Sequence, residues 1–140
     1  MSDKIFLDTN ILVYVYSGDE PEKQAAALLV IEQSNPIIST QVLSELANTL
    51  SRKFNLGYDV VVQAIAEIQD ACTVIPVMPH TIEQALALAQ KYQYSYYDSL
   101  ILAAALSAGC ETLATEDMQH GQIIEGTLVI RNPFVQQARA

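Results

Sequence analysis

The sequence predicts an α/β fold with a mostly parallel sheet that helices cover on both faces. Short apolar runs alternate with longer helical segments, and the helical segments often come in pairs. The first apolar run, 5–7, has no polar position, which is typical of a strand buried on both sides. Together these patterns indicate a layered α/β protein rather than an all-helical or all-strand one.

The first half of the chain is predicted to contain two strands and four helices. The strands are 5–7 and 37–38, and the helices are 11–16, 22–33, 40–54 and 58–71. Pro21 suits the first turn of the second helix, and Ser39 or Thr40 can cap the third. Gly18 and Gly57 lie in the turns that separate the helices of each pair.

The second half is predicted to contain three strands and two helices. The strands are 73–77, 112–114 and 128–130, and the helices are 79–92 and 97–108. Pro79 opens the first of these helices, and Gly109 ends the second. The tail from Asn132 has no clear period, and Pro133 interrupts it.

Composition limits what kind of protein this is. Of its 140 residues, 51% are apolar and 16% are charged, which predicts one folded domain over 1–140 and excludes intrinsic disorder. No apolar run reaches the roughly 18 residues that span a membrane, so no membrane attachment is expected. Cys72 and Cys110 sit among apolar or small residues, and the N-terminus lacks the order of a secretory signal. Both features predict free thiols in a cytoplasmic protein.

Acidic residues follow two of the predicted strands. In open α/β sheets, ligands bind beyond the carboxyl ends of the strands. Asp8 comes directly after the first strand, and Asp117 follows the fourth. Asp8 also suits a helix cap. Asp117 also fits a simple acidic turn, and Glu116 beside it is a competing candidate.

Two further carboxylates lie on helices near the same edge. Asp98 is followed by apolar residues at i+3, i+4 and i+7, so it falls within the apolar stripe of its helix. An ionised carboxylate there is costly unless a cation pairs with it, although an acid in the first turn also suits the helix dipole. Glu45 falls about 60° outside the apolar arc of its own helix, so a solvated side chain is the simpler interpretation.

These positions predict a shared cation site. Two unit charges about 4 Å apart repel by on the order of 4 kcal/mol at an effective dielectric constant near 20. Four converging carboxylates therefore need a hard cation, and all-oxygen ligation favours Mg²⁺ or Mn²⁺ over zinc. The net charge of −9 repels nucleic acid and fits a protein that binds cations or a basic partner.

The sequence resembles the PIN-domain ribonucleases over nearly its whole length, and in particular the VapC-like toxins of toxin–antitoxin pairs. The matching segments are FLDTN at 6–10, SEL at 44–46, YDSLI at 97–101 and TEDM at 115–118. The resemblance implies a Rossmann-like three-layer α/β/α sandwich with a sheet of four or five strands. It also implies a metal-dependent endoribonuclease, a small antitoxin partner and a homodimer.

The resemblance further implies which residues form the site. The acidic set is Asp8, Glu45, Asp98 and Asp117. The resemblance thus assigns Glu45 to the site although its helical position alone favours a solvated side chain, and it selects Asp117 over Glu116. We expect Asp8 and Asp98 to hold the first Mg²⁺ or Mn²⁺, with Glu45 and Asp117 completing the shell partly through water.

Neighbouring polar positions fit the same resemblance. Asn10 and Thr115 match residues that support the first and last acids. Gln119 stands where many relatives carry a further acid, so a second metal is expected to bind weakly.

Two other interpretations remain open at this point. Asp8 after a strand also fits an aspartyl-nucleophile phosphatase or dehalogenase, although Asn10 stands where that chemistry normally has a second Asp. The other interpretation is a catalytically degenerate PIN-like interaction domain, whose acidic residues bind metal without catalysing a reaction.

Basic and aromatic residues allow contacts with RNA but do not require them. Arg52, Lys53 and Lys91 end helices, where a role at the helix C-terminus is the simpler explanation. Four tyrosines precede Asp98, and packing explains them more simply than stacking on bases does. They are Tyr92, Tyr94, Tyr96 and Tyr97.

Overall fold

A computed structural model describes residues 3–135, so the predicted domain over 1–140 extends beyond the described residues at both ends. The described part contains six strands and six helices. The strands are β1 (Lys4–Leu7), β2 (Asn35–Ser39), β3 (Thr73–Ile75), β4 (Thr112–Ala114), β5 (Ile123–Ile124) and β6 (Leu128–Arg131). The helices are α1 (Thr9–Val15), α2 (Pro21–Gln33), α3 (Thr40–Arg52), α4 (Tyr58–Ala71), α5 (Pro79–Tyr92) and α6 (Tyr96–Ser107).

The strands form one sheet in the order β3-β2-β1-β4-β6-β5. The central strand β1 pairs in parallel with β2 and β4, so that Phe6 lies between Ile37 and Leu113. Only β5 runs antiparallel to its neighbour. The predicted α/β fold with a mostly parallel sheet is therefore confirmed.

Helices cover the sheet as two groups. α1 packs on α2 and α3, α3 packs on α4, and α5 packs on α6. Helix α6 is the most deeply buried, because every residue from Ser99 to Ala105 is buried. Its almost wholly apolar sequence predicts this central position. The result is the three-layer α/β/α arrangement that the resemblance implies.

Some element boundaries differ from the predictions for identifiable reasons. β3 ends at Ile75 rather than at 77, because the Val77 N–H donates to the Thr40 hydroxyl (3.1 Å) instead of to a strand. α1 begins at Thr9 rather than at 11, because Asp8 caps it. The two-residue strand β5 was not predicted, since it is too short to show a period.

Within residues 3–135, none of the helices combines the length and the hydropathy that crossing a bilayer requires. Cys72 and Cys110 are both buried free thiols, and they do not form a disulfide with each other.

Candidate metal centre

Asp8 lies at the carboxyl end of the central strand, where its carboxylate is almost fully buried (6% exposed). One oxygen accepts a hydrogen bond from the Thr9 N–H (2.7 Å), which caps α1. The other oxygen accepts from the Thr115 hydroxyl (2.8 Å). The capping role and a role in ligation can therefore coexist at this residue.

Asn10 and Thr115 hold the loop after β4 against α1. The Asn10 amide donates to Asp117 Oδ2 (2.9 Å), and its carbonyl oxygen accepts from the Glu116 N–H (3.2 Å). The Thr115 hydroxyl also accepts from the Asp117 N–H (3.1 Å). These bonds fix Asp117 beside Asp8, as supporting residues would.

Glu45 reaches the same place from α3. Its Oε1 accepts a hydrogen bond from the Thr9 hydroxyl (2.7 Å), and its side chain is half-buried rather than fully solvated. Thr9 was not predicted as a site residue. Its position directly after Asp8, at the start of a helix, was the only signal available.

Asp98 lies in the first turn of α6. Ser95 caps this helix by accepting a hydrogen bond from the Asp98 N–H (3.2 Å). The carboxylate is half-buried, less than its place in the apolar stripe suggests, because it lies at the helix end where the cavity opens.

The four carboxylates meet in one cavity of about 560 Å³. Asp8, Glu45, Asp98 and Asp117 all line it, as does Asn10, whereas Thr115 is fully buried behind Asp8. Within residues 3–135, however, no three His, Cys, Asp or Glu side chains are grouped tightly enough to form a ready-made ligand cluster. A single ion in this cavity would therefore need water to complete its shell.

The electrostatics of the cavity suit a hard cation. Burial is the main reason that the pKa of Asp8 is raised to about 6; the hydrogen bonds from Thr115 and Thr9 oppose the rise, and the charges of Asp117 and Asp98 add to it. Burial also raises the pKa of Asp98, with contributions from Asp117 and Glu45. The donor set is all oxygen, Asp8 within it is desolvated, and its members repel one another. Mg²⁺ fits such a set because it prefers oxygen ligands and retains several waters.

Glu116, the competing candidate, is already occupied. Its two oxygens accept hydrogen bonds from the Tyr14 hydroxyl (2.6 Å) and the Lys23 ammonium (2.8 Å). Partial burial raises the pKa of Glu116, but these two hydrogen bonds outweigh it and leave the pKa below its usual value. The arrangement favours Asp117 over Glu116 as a ligand.

Comparison with known proteins identifies the family. The PIN domain family model matches residues 5–124. The chain belongs to the PIN domain family. No curated protein matches it in sequence.

Solved structures share the PIN fold. The toxin VapC20 of Mycobacterium tuberculosis is 21% identical with a TM-score of 0.65, over 81% of this chain and 91% of its own. A Klebsiella pneumoniae toxin–antitoxin complex is 23% identical with a TM-score of 0.70, over 93% and 98%. FitAcB of Neisseria gonorrhoeae is 21% identical with a TM-score of 0.66, also over 93% and 98%. At these identities the likeness shows the fold.

Thr115→Val tests how this PIN domain holds its buried carboxylate. Removing the hydroxyl leaves the Asp117 N–H without its partner and Asp8 Oδ2 with only the longer bond from the Asn10 amide (3.5 Å), so we expect a loss of about 1–3 kcal/mol in the free energy of unfolding. We also expect Mn²⁺ affinity to fall about 10- to 100-fold, as for other residues that orient a ligand. Urea unfolding and calorimetric Mn²⁺ titration measure the two effects.

Thr112→Val, three residues earlier at the start of β4, is the matched control. Thr112 is half-buried, does not line the carboxylate cavity, and makes no side-chain hydrogen bond in the described residues. Equal effects of the two substitutions on Mn²⁺ affinity would show that the Thr115 hydroxyl does not orient Asp8.

Proposed function

We propose that this protein is a metal-dependent endoribonuclease that acts as the toxin of a toxin–antitoxin pair. The observation that carries the proposal is the convergence of four carboxylates in one cavity at the carboxyl ends of β1 and β4. VapC20 is described as a toxin that cleaves the sarcin–ricin loop, which supports RNA as the substrate class.

Each carboxylate has a defined part in the proposed site. Asp8 and Asp98 would hold Mg²⁺ or Mn²⁺ directly, and Glu45 and Asp117 would complete the shell through water. When bound, the ion would lower the pKa of a water molecule and neutralise the phosphate oxygens. The Thr9 hydroxyl orients Glu45, and the Asn10 amide orients Asp117, so both acids are positioned before substrate arrives.

The geometry disfavours an aspartyl nucleophile. Both oxygens of Asp8 accept hydrogen bonds, and the side chain is only 6% exposed. A carboxylate that attacks phosphorus must present a free oxygen to the substrate. Each oxygen keeps a further lone pair that a small ion can reach, whereas a nucleophile needs room for a whole phosphoryl group, so Asp8 is better suited to ligation than to covalent catalysis.

The same cavity suits control by a basic partner. An Arg or Lys of an antitoxin would pair with the cavity carboxylates and compete with the metal. Structures such as the Klebsiella pneumoniae complex, which contain a toxin with its antitoxin, support a partner of this kind. We also propose that the protein forms a homodimer and acts in the cytoplasm.

Two adjacent substitutions test the function. We expect Asp117→Asn to slow Mn²⁺-dependent cleavage of single-stranded RNA about 10- to 100-fold, because an orienting carboxylate is lost. Glu116→Gln is the matched control, since Glu116 bonds to Tyr14 and Lys23 instead, and its rate should stay within about threefold of wild type. Gel-resolved initial rates with the purified, partner-free protein give the comparison.

Absence of cleavage by the wild type across a Mn²⁺ and Mg²⁺ titration would contradict the nuclease and favour the degenerate interaction domain. If Glu116→Gln were the more damaging substitution, the assignment of Asp117 would be wrong.

A further inference from the structure

The cavity continues beyond the carboxylates along one side of α3. Gln41, Glu45 and Asn48 line it from within the helix, and Lys53 lines it from the residue that ends the helix. Spacings of four and three residues place Gln41, Glu45 and Asn48 along one face, and Lys53 lies four residues after Thr49, which also lines the cavity. At 1.5 Å per residue, this wall extends about 18 Å from Gln41 to Lys53, with Glu45 between them.

Lys53 is the one basic residue among the described residues that line this cavity, against seven carboxylates. Lys23 and Lys91 are engaged in ion pairs, with Glu116 and Glu125 respectively. Over residues 3–135, no carboxylate lies within the 4 Å that defines such a pair for Lys53. Its exposed ammonium group is therefore available to an anion that enters the cavity.

The charge of Lys53 affects the pKa of Asp19, which lines the same cavity. The hydrogen bond from Ser17 is the main reason that the pKa of Asp19 lies below its usual value, and the charge of Lys53 contributes. Asp19 and Lys53 therefore line the same cavity within electrostatic range of each other.

Tyr97 stands at the opposite end of the α3 wall. Its backbone carbonyl accepts a hydrogen bond from the Gln41 amide (3.2 Å), and its side chain is 64% exposed next to Asp98. The hydroxyls of Tyr92 and Tyr94 bind Glu125 and Gln122. Those two hydroxyls are therefore committed to the β5 region, while Tyr97 lines the cavity and its ring packs edge-on against Tyr96.

We propose that Lys53 and Tyr97 hold single-stranded RNA at the two ends of the α3 wall, with the scissile phosphate at the carboxylates between them. Lys53 binds a flanking backbone phosphate, and the ring of Tyr97 stacks on an unpaired base. This subsite rests on the nuclease function proposed above. It explains how a chain of net charge −9 retains RNA, since one cation and one aromatic platform lie inside the cavity itself.

Lys53→Met and Arg52→Met form a matched pair. Both residues are exposed, basic and at the C-terminal end of α3, but only Lys53 lines the cavity. The dissociation constant for a labelled, unstructured RNA is measured by fluorescence anisotropy in an Asp98→Asn background, and the KM for cleavage in the wild-type background. We expect Lys53→Met to raise both about tenfold with kcat unchanged, and to reduce the salt slope by about 0.7. Arg52→Met should change neither by more than about twofold.

Tyr97→Ala and Tyr97→Phe test the other end. Loss of the ring should raise the dissociation constant roughly fivefold to a hundredfold, and the phenylalanine variant should restore it. Equal effects of Lys53→Met and Arg52→Met, or RNA binding that Tyr97→Ala leaves unchanged, would overturn the subsite even if cleavage is intact. If the wild type binds RNA through Lys53 and Tyr97 but does not cleave it, the subsite stands and the nuclease function fails.

Discussion

Asp8→Asn is expected to stabilise the metal-free protein at neutral pH. The pKa of Asp8 in the folded protein is about 6, against an ordinary value of 3.8. The folded protein therefore binds this proton more tightly than the unfolded chain does. This tighter proton binding stabilises the folded protein fully below about pH 4, and the stabilisation is lost as the pH rises through 6. The asparagine variant has no carboxylate to ionise at this position, so it does not lose this stabilisation as the pH rises.

The expected gain is about 3 kcal/mol above pH 7, because the pKa differs by about two units at 1.36 kcal/mol each. Asn can still accept the hydrogen bond from the Thr9 N–H, and it caps helices as well as Asp does. Its amide nitrogen cannot accept from the Thr115 hydroxyl but can donate to it instead, since a hydroxyl oxygen has two lone pairs. Thermal unfolding in EDTA across this pH range measures the gain as a rise of several degrees in Tm that disappears near pH 4.

Asp70→Asn is the control for this experiment. Asp70 is an exposed residue of α4 that does not line the cavity, and its replacement changes the net charge equally. If Asp70→Asn and Asp8→Asn stabilised the protein to the same degree, the gain would reflect net charge and not relief of a buried carboxylate.

Asp98→Asn is expected to abolish both metal-induced stabilisation and cleavage. A ligand at about 100 times its dissociation constant stabilises the folded state by about 2.7 kcal/mol, so Mn²⁺ should raise the Tm of the wild type measurably. Without Asp98, one of the two proposed direct ligands is lost. Because residues that only orient ligands cost 10- to 100-fold, cleavage should fall by more than about a hundredfold.

Paired measurements of Tm and cleavage rate at increasing Mn²⁺ concentrations test this expectation, again with Asp70→Asn as the control. A wild-type Tm that does not respond to Mn²⁺ would show that the cavity holds no such ion. A variant that keeps its Mn²⁺ response but loses cleavage would assign Asp98 to a step other than metal binding.

The sequence was sufficient to predict the fold because its buried strands and helices are locally unambiguous. The run at 5–7 and the apolar helix before Gly109 are apolar enough to predict a place in the core, and both belong to the core of the structure. β5 escaped prediction because two residues carry no period, and its pairing depends on the turn at Glu125 and Gly126, which both have positive φ.

The candidate site was harder to predict than the fold because it depends on contacts between distant segments. Asp8 follows its strand directly, so its place at the sheet edge could be read from the sequence. The direction of Glu45 could not, since its helical pattern places it outside the apolar arc, and the hydrogen bond from Thr9 joins residues 36 positions apart. Likewise, no local pattern distinguishes Lys53, which lines the cavity, from Arg52, which does not.

The two outermost strands of the sheet, β3 and β5, have three and two residues respectively. A sheet edge with free N–H and C=O groups can recruit a strand from another molecule, and short edge strands are a common defence against such recruitment. Neither margin of this sheet offers a long template for intermolecular pairing. The fold can therefore carry its apolar strands at high concentration with little tendency to aggregate through its edges.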